Sequence, residues 1–143
     1  MEKSPYFVAF DPGGVATGWS VWAENGSWLD FGTAWSHEEL QIFLDELPDT
    51  VKVFIIEDYK VRNWQFNHDG SRVPTVKAIG RIEACGQRLK AKVILQDRMI
   101  KSTAEKWTGK STKGLAKAKT HSIDAYNHGE YFLLSTGVKD IKL

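Results

Sequence analysis

Asp11 ends the apolar run Phe7-Val8-Ala9-Phe10 and is followed at once by Pro12-Gly13-Gly14, with Thr17-Gly18 just beyond. A strand holds a carboxylate in that position, and the glycine-rich turn beside it leaves room for a substrate backbone to approach, which suits a divalent cation and phosphate chemistry. A second acid, Glu57, emerges from the apolar run Val51 to Ile56. Later in the chain, His121-Ser122-Ile123-Asp124-Ala125-Tyr126-Asn127-His128 sets His121, Asp124 and His128 at spacings of three and four, which on a helix is one face. Two histidines bracketing an aspartate make a face able to bind a metal or move a proton.

The elements that must position these groups can be read from periodicity. Phe7, Ala9 and Asp11 alternate with Val8 and Phe10, the pattern of a strand with two distinct faces. Two further strands are expected over Trp19 to Ala23 and Ser27 to Ala34, joined by a hairpin turn at Glu24-Asn25-Gly26. Ser36 and Glu39 form a capping box, and Leu40, Phe43, Leu44 and Leu47 recur at helical spacing until Pro48. The run Val51 to Ile56 has the continuous apolar character of a central strand covered on both faces.

Beyond Glu57, the polar stretch Lys60 to Arg72 has the length of a functional loop. A helix from Pro74 or Thr75 to Lys90 and a strand from Lys92 to Leu95 follow. A short helix capped by Asp97 and reaching Trp107, a basic loop, and a last helix from about Leu115 to Leu134 complete the order. A β-β-β-α-β-α-β-α-α order predicts an α/β fold, a mixed five-stranded sheet flanked by helices in the ribonuclease H-like arrangement. Asp11 and Glu57 then sit at the carboxyl ends of parallel neighbours, the usual ligand-binding edge of such a sheet.

Length and composition narrow the function. A chain of 143 residues makes one domain, spanning residues 1–143, and buries about two-thirds of its unfolded surface without disulfide or structural metal. The lone cysteine, Cys85, excludes an internal disulfide framework and falls in a helix stripe with Ile79, Ile82 and Leu89, a packing position. Without a leader pattern or a long apolar run, a cytoplasmic protein with no membrane partner is expected. Net charge is only +1, but the chain through Glu57 has ten acids against two lysines, whereas Arg98 to Lys119 has seven basic residues against Glu105 alone. That basic run is interleaved with Gly109, Gly114 and small hydroxyl residues, which admit a phosphate backbone, so nucleic-acid contact through Lys110, Lys113, Lys117 and Lys119 is expected.

The glycine turn taken alone also resembles the phosphate-binding turn of the actin-like kinases and ATPases. Those need two lobes, each about a domain in size, and this chain has the length of one, so no nucleotide cofactor is expected. Three pieces together are similar to the RuvC-type Holliday-junction resolvases, particularly their small viral relatives. They are Phe10-Asp11-Pro12-Gly13-Gly14-Val15-Ala16-Thr17-Gly18, then Ile55-Ile56-Glu57, then His121-Ser122-Ile123-Asp124-Ala125, in the family's order over nearly the whole chain.

The resemblance implies a metal-dependent endodeoxyribonuclease that resolves four-way DNA junctions to 5′-phosphate and 3′-hydroxyl ends. It implies Asp11, Glu57, His121 and Asp124 as catalytic metal ligands and two Mg²⁺ or Mn²⁺ ions, with His121 shifting the preference toward Mn²⁺ or serving as a proton carrier. Asp58 is the fallback ligand. The resemblance also implies an aromatic wedge in the loop after Glu57, for which Trp64 and Phe66 are the candidates, and a homodimer matched to the two-fold symmetry of a junction. Gly13 and Thr17 are expected to lie against DNA. The helix from Thr75 to Lys90 is the expected dimer face, through Gly80, Ala84 and Gly86 beside Ile79, Ile82 and Cys85. Trp19, Trp22, Trp28 and Trp107 are expected to anchor the core. The competing readings are a flap, fork or RNA–DNA hybrid nuclease of the same fold, and a junction-binding protein that does not cleave.

Overall fold

The computed structural model describes residues 4–13, 16–58, 73–97 and 117–135. They form strands β1 (Pro5–Pro12), β2 (Thr17–Ala23), β3 (Trp28–Ala34), β4 (Val53–Asp58) and β5 (Lys92–Asp97), with helices α1 (His37–Asp45), α2 (Val73–Leu89) and α3 (Lys117–Ser135). The sheet order is β3-β2-β1-β4-β5. The first three strands form an antiparallel meander, whereas β4 runs parallel to both β1 and β5. The expected mixed five-stranded sheet is therefore present. Asp97, expected to cap a short helix, is instead the last residue of β5, and the rest of that helix, to Trp107, lies outside the described residues.

Local chemistry explains the boundaries. The hairpin between β2 and β3 closes through Gly26 N–H to the Ala23 carbonyl and Ala23 N–H to the Ser27 carbonyl, with Asn25 Oδ1 accepting from Ser27 N–H. At α1, Ser36 Oγ accepts from Glu39 N–H at 3.0 Å, as a capping box requires. The Glu39 carboxylate reaches back one residue further than the box, accepting from Trp35 N–H. Helix α2 ends with Lys90 at φ 56° and a 2.8 Å bond from Ala91 N–H to the Gly86 carbonyl. This is a left-handed C-terminal cap built on a residue that has a Cβ.

Alternation along the central strands divides the core in two. Val8, Phe10, Phe54 and Ile56 face α1 and α2, packing with Leu40, Leu44, Ala78, Ile82, Cys85 and Leu89. Phe7, Ala9, Val53 and Ile55 face α3, packing with Trp22 and Leu133 and with partly buried Tyr126 and Phe132. Both faces of β1 and β4 are thus covered, the reason their sequences are nearly continuous apolar runs.

Two expectations are corrected by this packing. A Cβ on Gly86 would meet Val93 Cγ2 at 3.0 Å and Phe54 Cδ2 at 3.5 Å, so Gly86 lets α2 close onto the sheet and offers nothing to a partner helix. Ile82 and Cys85 are buried in the same core; of the expected dimer stripe, Gly80 and Ala84 are exposed. Burial pushes the Cys85 thiol above its ordinary pKa, which suits a packing role. Trp28 is not a core anchor either. It is 46% exposed on the edge strand β3, touching Phe31 and Tyr126 edge-on. The other two described tryptophans expected in the core behave so: Trp22 is fully buried, and Trp19 stacks on Phe43 at 4.4 Å.

Candidate active site

The parallel register of β1 and β4 ends with Phe10 opposite Ile56, so one step further along both strands sets Asp11 beside Glu57. In the next pair, Glu57 is opposite Gln96 of β5. Their strand neighbours Ala9, Ile55 and Ile94 all pack on the α3 side, and the two-residue alternation puts Asp11, Glu57 and Gln96 on that side too. Three adjacent parallel strands therefore end in a row of polar side chains beneath one helix.

Helix α3 is docked on this row by buried contacts. Ser20 Oγ donates to the Ala125 carbonyl at 2.8 Å and accepts from Trp22 Nε1 at 2.9 Å. Trp22 in turn stacks parallel on Phe7 and touches Tyr126. Ala125 is held at Ser20, opposite Ala9, while Leu133 packs with Phe7 nearer the start of β1. The helix thus runs back along β1, and its earlier turns, with Asp124 and the backbone of His121, lie toward the strand ends that carry Asp11 and Glu57.

Asp11 is 5% exposed and Asp124 4%, with Glu57 partly buried beside them. Carboxylates removed from water are tolerated when paired, hydrogen-bonded or bound to a cation, and oxygen donors of this kind suit a hard divalent ion. The donor chemistry fits the expected metal. Among the described residues, no three Asp, Glu, His or Cys side chains are gathered into a ready-made clasp. His121, the fourth expected ligand, lies in α3, but its side chain is outside the described set, as is that of Asp58.

His128 is buried one turn after Asp124. Its Nδ1 is 2.7 Å from Gln96 Oε1, and its Nε2 is 3.9 Å from Glu57 Oε1. Sequence reading placed His128 on the polar face of α3 but missed Gln96, because the expected strand stopped at Leu95. The signal was available, since Gln96 stands at the same strand-end position as Asp11 and Glu57. Ser20 was also missed. A serine within an otherwise apolar strand is weak evidence until its partner, the Ala125 carbonyl, is known.

Of the residues expected to touch DNA, Gly13 follows β1 and is half-buried. Thr17 opens β2, 3% exposed, and is paired with Pro12 and Ala34. Trp64, Phe66, Lys110 and Lys113 lie outside the described residues. Lys117 and Lys119 are in the first turn of α3, with side chains outside the described set.

Among solved structures, the chain is similar to RuvC of Thermus thermophilus, both in complex with a Holliday junction substrate and as a separate RuvC structure. The TM-score is 0.65 to each, over 92% of this chain and 96% of theirs, at 14% and 16% identity respectively. The chain has the RuvC fold. No protein-family model and no curated protein matches the sequence. Among the described residues, no helix is long and apolar enough to cross a membrane.

Proposed function

We propose that this chain is a metal-dependent endodeoxyribonuclease acting on branched DNA, four-way junctions above all. One observation carries the reading: the register sets Asp11 beside Glu57 at the strand ends, under the helix that buries Asp124. A binding module gains nothing from carboxylates gathered where phosphate must approach, since they repel it unless a cation intervenes.

In this reading Asp11, Glu57 and Asp124, with His121 three residues earlier on α3, hold Mg²⁺ or Mn²⁺. A bound pair of such ions supplies activation of water and stabilisation of the leaving oxygen in phosphodiester hydrolysis. The protein supplies placement. Asp11 and Glu57 are held by strands paired on both sides, and α3 is held by the Ser20 and Trp22 contacts, so ligands far apart in sequence reach one edge without a flexible loop.

Substrate contact is assigned to Lys110, Lys113, Lys117 and Lys119, with Gly13 at the turn beside Asp11; Thr17, expected there too, is buried between β1 and β3 and is not assigned a contact. Helix α3 has no acid in its first turn and has Lys117 there, where the helix dipole disfavours a cation in isolation but adds to it in attracting an anion. Trp64 or Phe66 serves as the wedge at the junction centre. Two copies of the chain make paired cuts, matching the two-fold symmetry of a four-way junction; the similarity to RuvC solved in complex with a Holliday junction substrate supports the junction as the target.

The test is cleavage of end-labelled four-way junction, flap, fork and RNA–DNA hybrid by one preparation, with Mg²⁺, Mn²⁺ or chelator. Metal-dependent cutting with the junction preferred is the expected result. Preference for the flap or hybrid would change the substrate, and binding without cutting in either metal would refute the nuclease.

A further inference from the structure

Gln96 of β5, His128 of α3 and Glu57 of β4 meet beneath α3. His128 is 1% exposed and Gln96 5%. The imidazole is anchored at Nδ1 by the 2.7 Å contact with Gln96 Oε1, while Nε2 faces Glu57 Oε1 across 3.9 Å. That second distance is too long for a hydrogen bond. It is short enough for the ring to occupy the space into which the Glu57 carboxylate would otherwise swing. Turning the ring would break a buried hydrogen bond, which costs more than an exposed one because no water replaces it. Glu57 and Gln96 are direct neighbours across β4 and β5, so the imidazole lies over both and fixes one relative to the other.

A packing role alone does not account for this arrangement. An aliphatic side chain would fill the same volume without desolvating two ring nitrogens and an amide. Residues that contact a ligating carboxylate from behind commonly set its direction and its affinity for the ion. We infer that His128, clamped by Gln96, is a positioning residue that holds the Glu57 carboxylate turned toward Asp11. The inference rests on the reading of Glu57 as a metal ligand.

The test uses the two amide replacements of histidine, which each keep one nitrogen position. His128→Asn retains a polar group on the Gln96 side and loses the one facing Glu57; His128→Gln does the reverse. The full chain, without DNA, is titrated with Mn²⁺, and binding is followed by loss of the free-ion electron paramagnetic resonance signal. Metal-free thermal unfolding is measured alongside.

His128→Asn is expected to bind Mn²⁺ about tenfold more weakly than wild type, and His128→Gln to remain within a few-fold, with similar unfolding midpoints. In a Glu57→Ala background the difference between the two should vanish. Equal affinity in the two variants, or a difference that survives Glu57→Ala, overturns the role. Should His128→Asn fail to fold, His128→Leu takes its place, keeping most of the ring's volume with no polar group facing Glu57; about tenfold weaker binding than in His128→Gln is expected there too, and equal affinity in those two variants would overturn the role. Wild-type protein that binds no Mn²⁺ sinks the metal-site reading and this role together, whereas wild-type binding with unaltered variants sinks the role alone.

Discussion

Gly129→Ala should undock the helix that carries Asp124, and the size of the effect can be worked out. A Cβ at Gly129 would fall 2.3 Å from Trp22 Nε1, 2.6 Å from Cε2 and 2.9 Å from Cζ2. Ordinary carbon contacts are about 3.5 Å, so α3 must back away by about 1 Å or Trp22 must move. Trp22 has nowhere to go: it is fully buried, stacked on Phe7 and bonded to Ser20. Overpacking of this kind costs roughly 1–3 kcal/mol, and loss of the Ser20–Ala125 bond adds about 1 kcal/mol. Alanine's better helix propensity returns about 1 kcal/mol. The net is a destabilisation of about 1–3 kcal/mol, or a midpoint lowered by roughly 3–9 °C for a chain of this size. If the proposed function holds, a misplacement of about 1 Å of the helix that carries Asp124 should lower junction cleavage about 100-fold. Thermal unfolding and single-turnover cleavage measure the two effects. Trp22→Phe removes the colliding part of the indole, so the double variant should be less destabilised than the sum of the singles. A Gly129→Ala protein that melts at or above wild type would refute the argument, because α3 would then have room that the Trp22 indole denies it.

Asp11→Asn, Glu57→Gln and Asp124→Asn should each abolish cleavage while leaving junction affinity intact or higher, since each removes a ligand and a negative charge near phosphate; near wild-type turnover in Mg²⁺ would remove that residue from the site. Replacing Lys110, Lys113, Lys117 and Lys119 together by alanine should reduce the slope of log K against log salt by about 0.9 for every duplex-arm phosphate that is no longer neutralised. An unchanged slope in a salt titration of binding would leave these lysines as a solvated face. Lys90→Gly should stabilise the fold by about 1 kcal/mol, because the left-handed φ at the end of α2 strains any residue with a Cβ; a denaturant midpoint at or below wild type would count against that cap.

The alternation Phe7-Ala9-Asp11 against Val8-Phe10, the capping box at Ser36 and Glu39, and the apolar run before Glu57 each depend on neighbours a few residues away. The chain by itself therefore determined the strands, α1, the sheet class, and the strand-end placement of Asp11 and Glu57. Side-chain direction is a local property with a period of two or 3.6 residues, and such periods are visible in one dimension. Other features depend on where two distant segments meet. Gly86 reads as a helix-packing residue in sequence, and only the approach of Val93 and Phe54 shows that it faces the sheet. Trp28 reads as an anchor, but β3 proves to be the sheet edge, so among the described residues no strand pairs along its outer side. Gln96 and Ser20 gained their roles only when α3 lay down over β5 and β2, bringing His128 and the Ala125 carbonyl to them. Tertiary structure decided those contacts because a buried polar group is explained by its partner, and the partners are 32 and 105 residues away in sequence.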